Sequence, residues 1–144
     1  MITTLSQLAA QVESGNNPGA LRFEPAFRPS AEAIINCKKA NACSNATALV
    51  LCAMSFGKYQ IMGENLWGLL GYTVDAAHYL NNEDLQDSSY WNFCQRKGIG
   101  FSLIDVLHDP AKRLQYARLY NGPGNPVAYG DRMLSEYKAS GGVL

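Results

Sequence analysis

Glu13 ends an apolar helical stripe and stands directly before the turn-forming run Ser14-Gly15-Asn16-Asn17-Pro18. Leu5, Leu8, Ala9 and Val12 recur at the i, i+3, i+4, i+7 spacing of a core-facing helix side. Glu13 follows Ala9 by four residues and adjoins Val12, which places its carboxyl close to that buried side. It also sits at the helix C-terminus, where the macrodipole opposes negative charge. Burial and dipole both favour the protonated acid. A carboxylic acid that stays neutral near pH 7 is what general-acid catalysis requires. Taken alone, the residue also fits a solvated glutamate at a frayed helix end.

Two further polar islands interrupt the helical pattern: Ser55-Phe56-Gly57-Lys58-Tyr59-Gln60-Ile61-Met62-Gly63 and Leu119-Tyr120-Asn121-Gly122. Each pairs glycine, which lets backbone approach a ligand closely, with hydrogen-bonding side chains. Tyrosine offers a flat apolar face and a hydroxyl, while glutamine and asparagine offer donors and acceptors. Sugars present apolar ring faces edged with hydroxyls and amides, so this mixture suits a saccharide groove. Gln60 taken singly also reads as a loop cap, and Tyr120-Asn121-Gly122 as a helix stop. Phe23, Phe27, Phe56, Trp67, Trp91 and Phe93 read as core residues.

In their order along the chain, Glu13-Ser14-Gly15, Gly57-x-x-Gln60-Ile61 and Tyr120-Asn121-Gly122 resemble the lysozyme-like superfamily, which includes goose-type lysozymes and lytic transglycosylases. Val12-Glu13-Ser14-Gly15, Leu21-Arg22-Phe23-Glu24-Pro25 and residues 55–63 are more similar still to phage N-acetylmuramidases. The likeness spans about residues 5–137. It implies a mainly α, lysozyme-like single catalytic domain over 1–144, with a small extended element. The implied activity is cleavage of the β-1,4 bond between N-acetylmuramic acid and N-acetylglucosamine in peptidoglycan. Glu13 matches the general acid, and Ser14 the serine beside it that holds substrate or acid. Gln60 matches the glutamine lining the groove, Tyr120 the tyrosine whose hydroxyl faces the acid, and Asn121 its neighbour; Tyr59 is a further candidate substrate contact by residue type. The chain departs from the common Gly-Leu-Met-Gln pattern at Lys58-Tyr59, which is expected to bring a cation close to the groove.

Hydrolysis calls for help to the attacking water. Glu24 is the first candidate, ahead of Glu64 and Asp75; Glu24 also reads as a surface charge before a proline. A carboxyl separation of about 6.5–9.5 Å implies inversion and about 5–5.5 Å retention. The alternative is a lytic transglycosylase, in which Glu13 is acid and then base and the muramic 6-hydroxyl closes an anhydro ring. A protein that keeps the fold without activity is a third reading. A small phage endolysin is expected to stay in the host cytoplasm until a holin releases it to the wall. A virion-associated lysin used in entry is the competing context.

The elements that must position these residues are mostly short helices. Pro25 and Pro29 mark an extended segment around Phe23. Ser30, Ser44 or Asn45, Thr73, Ser102 and Asp109-Pro110 are helix starts. Residues 46–54 are apolar almost all round and predict a buried central helix. A short helix over 66–70 ends at Gly71, another covers 85–96, and the last runs over 127–139. Residues 57–61 are a further candidate strand.

With 144 residues, 47% of them hydrophobic, the chain can bury a real core. Twelve basic residues balance twelve acidic ones, so overall charge gives no reason to bind nucleic acid. The N-terminus lacks a signal-peptide pattern, and no apolar run reaches a membrane span. Cys37, Cys43, Cys52 and Cys94 form no CxxC pair, and His78 and His108 lie far from them, so no metal or other cofactor is expected. Free thiols are the expectation in a reducing compartment, with a 37–43 bridge open to an oxidising one. The expected state is a monomer whose partner is the peptidoglycan glycan strand.

Overall fold

Helix boundaries follow the capping side chains in this computed structural model, which describes residues 1–144. Helix α1 (Leu5–Ser14) opens with a reciprocal Thr4–Gln7 capping box and closes at Gly15, whose φ of 64° is left-handed. Strand β1 (Leu21–Phe23) follows, then α2 (Ala31–Asn41) capped by Ser30 and α3 (Asn45–Cys52) capped by Ser44. Strands β2 (Met54–Phe56) and β3 (Ile61–Met62) lead into a π-helical segment, Glu64–Leu69. The remainder is helical: α4 (Ala76–Leu80), α5 (Glu83–Arg96), α6 (Leu103–His108), α7 (Pro110–Asn121) and α8 (Pro126–Ala139). The chain is thus mainly α with one small sheet, and its elements share one hydrophobic core.

Three local expectations need correction. Asp75, not Thr73, caps α4 by accepting from the His78 amide. The segment expected to form an ordinary helix over 66–70 is π-helical, although Gly71 does terminate it with φ 64°. Helix α3 is not buried all round: Ala48 and Cys52 are inside, while Leu49 and Val50 are exposed. A helix of eight residues at the edge of the core can hide only the side that faces α2 and β2.

The sheet is antiparallel in the order β1-β2-β3, with Arg22 opposite Ser55 and Ser55 opposite Met62. Opposed residues share a sheet face, so Arg22, Ser55 and Met62 lie together. Phe56 and Ile61 occupy the other face and enter the core, where Phe56 meets Trp67 edge-on at 5.5 Å. Residues 57–60 are the hairpin turn rather than a strand. Gly57 (φ 74°) and Gln60 (φ 49°) are left-handed there, which breaks extended backbone.

The hairpin turn is tied to α5. Gln86 is fully buried; its Oε1 accepts from the Lys58 amide at 2.8 Å, and its Nε2 donates to Pro18 and Tyr79 carbonyls. Lys58 Nζ reaches Asp87 at 2.7 Å and Glu83 at 3.3 Å, and the Tyr59 hydroxyl donates to Asp87 at 2.6 Å. Lys58 therefore points toward α5, and the expected cation beside the groove is absent at this position. The reason is that α5 presents two carboxylates to a lysine that is itself almost buried.

The core is built on Leu8, Ala9, Trp67, Tyr79, Tyr90, Tyr116 and Met133, all buried. Burial of a side chain such as Leu8 stabilises by about 1.5–3 kcal/mol. Trp91, read as core, is 56% exposed, and Phe23 is 50% exposed. Position 91 falls on the outer side of α5, and β1 is an edge strand. All four cysteines are free thiols. The Cys37 and Cys52 side chains meet between α2 and α3, and burial pushes the Cys52 thiol up to about 11.

Candidate functional site

Glu13 is in the last turn of α1 and opens into a groove of about 820 Å³. The groove is framed by the sheet, the π-helical segment and the C-terminal ends of α5 and α7. The Tyr129 hydroxyl donates to Glu13 Oε1 at 2.6 Å, and the Arg132 guanidinium donates to the Val12 carbonyl. Burial is the dominant influence on the Glu13 carboxyl and raises its pKa; the Tyr129 bond and the charges of Arg132 and Arg22 pull it back only in part. Burial thus supplies the expected shift. Arg132 also sets positive charge against one open carbonyl of the helix end, where the macrodipole would oppose a carboxylate.

Ser14 is turned to the backbone. Its Oγ donates to the Lys58 carbonyl at 2.8 Å and accepts from the Asn17 amide at 2.9 Å. It clamps the end of α1 to the hairpin turn and thereby sets Glu13 against Gln60. The Gln60 amide nitrogen donates to the Ala20 and Gly57 carbonyls at 3.2 and 3.0 Å. Gln60 both closes the turn and lines the groove.

Tyr120 lines the groove but does not bond the acid. Its hydroxyl donates to the Tyr59 carbonyl at 2.8 Å, and its ring stacks on Tyr116. The hydroxyl that meets Glu13 is supplied by Tyr129 instead, because α8 crosses α1. Tyr59 also borders the groove, stacked on Tyr90 with centroids 4.8 Å apart, its hydroxyl committed to Asp87. Asn121 is exposed at the groove's rim.

Among the candidate second carboxylates only Glu24 reaches the groove. It is paired with Arg22 at 2.6 Å. Glu64 accepts from the Ser30 amide at 2.9 Å and Asp75 caps α4, so both are committed elsewhere. Arg22 acts on both groove carboxylates, since it binds Glu24 and its charge is felt at Glu13.

Several groove residues were not singled out from sequence, and Phe27, read as core, is only half-buried. Ser55 and Asn65 line the groove, as do Phe27, Phe93, Lys97 and Arg118. Ser55 was recoverable in principle: it alternates with the core residue Phe56, so it must face the other way. Tyr129 and Arg132 are a different matter, because only the crossing of α8 over α1 brings them to Glu13. No group of three or more histidine, cysteine or acidic side chains is close enough to hold a metal ion.

The chain is 33% identical over 128 residues to the endolysin of Enterobacteria phage PRD1, an alignment covering 83% of this chain and 86% of that protein. The chain belongs to the endolysin family. No protein-family model matches it, and no solved structure matches it.

Proposed function

We propose that this protein is a lysozyme-like muramidase of the endolysin type, a single catalytic domain that hydrolyses the β-1,4 bond between N-acetylmuramic acid and N-acetylglucosamine. The observation that carries the reading is Glu13: a half-buried carboxyl whose pKa is raised by desolvation, opening into a groove lined by Tyr59, Gln60, Tyr120 and Asn121. Peptidoglycan degradation agrees with the likeness to the phage PRD1 endolysin.

In this mechanism Glu13 Oε1 is held by Tyr129, which leaves Oε2 to protonate the glycosidic oxygen. As the bond breaks, Glu13 becomes a carboxylate. The Tyr129 bond and the Arg132 and Arg22 charges all favour that anion. They assist proton release while burial keeps the acid loaded beforehand. Glu24 is the proposed partner that steers water onto the developing oxocarbenium carbon. Tyr59, Gln60, Tyr120 and Asn121 hold the sugars, and Ser14 positions the acid against the turn. The protein acts as a monomer and reaches the wall after holin-dependent release.

A lytic transglycosylase is the second reading, favoured by one observation: the Glu24 carboxylate is already engaged by Arg22. In that chemistry Glu13 alone serves as acid and base. The test is Glu13→Gln assayed by clearing of purified sacculi. A loss of roughly 10²–10⁴-fold is expected, and undiminished clearing would remove Glu13 from the mechanism. Mass spectrometry of the digest separates the two chemistries: reducing muramic ends mark the hydrolase, and 1,6-anhydro ends the transglycosylase.

A further inference from the structure

The groove carries uncompensated positive charge in a chain whose formal net charge is zero. Its cations are Arg22, Lys97 and Arg118, and its carboxylates are Glu13 and Glu24. Arg22 is matched by Glu24. Burial disfavours the charged form of Glu13. Lys97 and Arg118 are exposed, and neither has a carboxylate within ion-pair distance. They stand at the ends of two neighbouring walls: Lys97 caps the C-terminus of α5, and Arg118 lies in the last turn of α7. Lys97 Nζ sits 5.6 Å from the Phe93 ring centroid, and Phe93 itself lines the groove, so the ammonium is held at the wall.

A glycan of N-acetylated sugars offers these cations neutral hydroxyl and amide oxygens but no opposite charge. The peptide stems of peptidoglycan do, because they end in and carry carboxylates. A guanidinium takes a carboxylate in two parallel hydrogen bonds, and an ammonium takes one as a point charge. We propose that Lys97 and Arg118 bind carboxylates of the peptide stems, so that the groove selects peptide-bearing stretches of the glycan strand. This rests on the reading of the groove as a peptidoglycan site.

The test is the double variant Lys97→Gln/Arg118→Gln, compared with the unaltered protein on three soluble glycans. One carries intact stems, one carries stems whose carboxylates have been amidated, and one has been stripped by an amidase to leave only lactyl carboxylates. On intact stems the variant should raise KM roughly tenfold with kcat unchanged. The unaltered protein should show a similar rise on amidated stems, and the variant none. On stripped glycan the two proteins should share one KM. Equal KM values on intact stems, a fall in kcat common to all three substrates, or a gap that persists on stripped glycan would each overturn the proposal; the last would assign the cations to the lactyl group. If the unaltered protein cleaves no glycan, the muramidase reading fails separately. The same comparison is then made as Kd, by fluorescence titration with the three glycans.

Discussion

The Tyr129 hydroxyl and Glu13 Oε1 lie 2.6 Å apart, although 116 positions separate them in the chain. The bond favours the ionised form of Glu13 and opposes the burial that favours the neutral form. Tyr129→Phe removes the first influence and leaves the second. The Glu13 pKa should therefore rise further, and the alkaline limb of the pH–activity profile should move to higher pH. Arg132→Met should shift the limb in the same direction, since the Arg132 charge also lowers that pKa. A limb that moves to lower pH in either variant would contradict this account of the carboxyl.

Glu13 also makes stability depend on pH. Its folded pKa is raised above the unfolded value of about 4.3. The folded state therefore holds the proton more tightly, and stability falls as pH rises from the unfolded value through the folded one. Glu13→Gln cannot ionise, so it should flatten that decline and be more stable than the parent above it. Urea denaturation of both proteins at a series of pH values measures the difference.

Gly57→Ala should be severely destabilising. The glycine has φ 74°, and an added Cβ would lie 2.6 Å from Cδ of the buried Gln86. The cost combines left-handed strain with displacement of the side chain that binds the Lys58 amide. A loss of about 3 kcal/mol is expected in denaturant unfolding.

Ser14→Ala tests the clamp between α1 and the hairpin. It leaves the Lys58 carbonyl and the Asn17 amide without their shared partner. A loss of about 1–2 kcal/mol should follow. Amide exchange should accelerate at residues 58–60 and not at the far end of α8. Exchange that speeds up uniformly would mean the serine serves general stability alone.

Glu24→Gln separates the two proposed chemistries. If Glu24 steers water, hydrolysis should fall by roughly 10²-fold or more. If Glu13 works alone, sacculus clearing should persist near the parent rate, with anhydro ends in the digest.

The helical layout was legible because it is local. Ser30, Ser44, Ser102 and Asp109 cap the helices they were expected to cap. The extended segment around Phe23 is β1. What misled was context. Residues 46–54 are apolar, and their composition cannot say that Leu49 and Val50 lie on the side away from α2. Thr73 and Asp75 are both good caps, and spacing did not choose between them.

The proximity of the candidate residues was legible as well, while their roles belong to the proposal. Glu13, Glu24, Tyr59, Gln60, Tyr120 and Asn121 all border one groove, and Ser14 braces it. The hydroxyl bonded to Glu13 belongs to Tyr129, because α8 packs on α1, while α7 stacks Tyr120 on Tyr116. Lys58 looked like a groove cation because its neighbours in sequence face the groove. The carboxylates of Glu83 and Asp87 draw it to the opposite side.

The contact between α1 and α8 has a consequence for the order of synthesis. Glu13 is made 116 positions before Tyr129, whose hydroxyl it binds, and Arg132 follows later still. A growing chain that still lacks residues 126–139 has neither of these groups beside its glutamate. The surroundings of Glu13 are therefore completed only when α8 docks on α1, so a late element finishes what an early one begins.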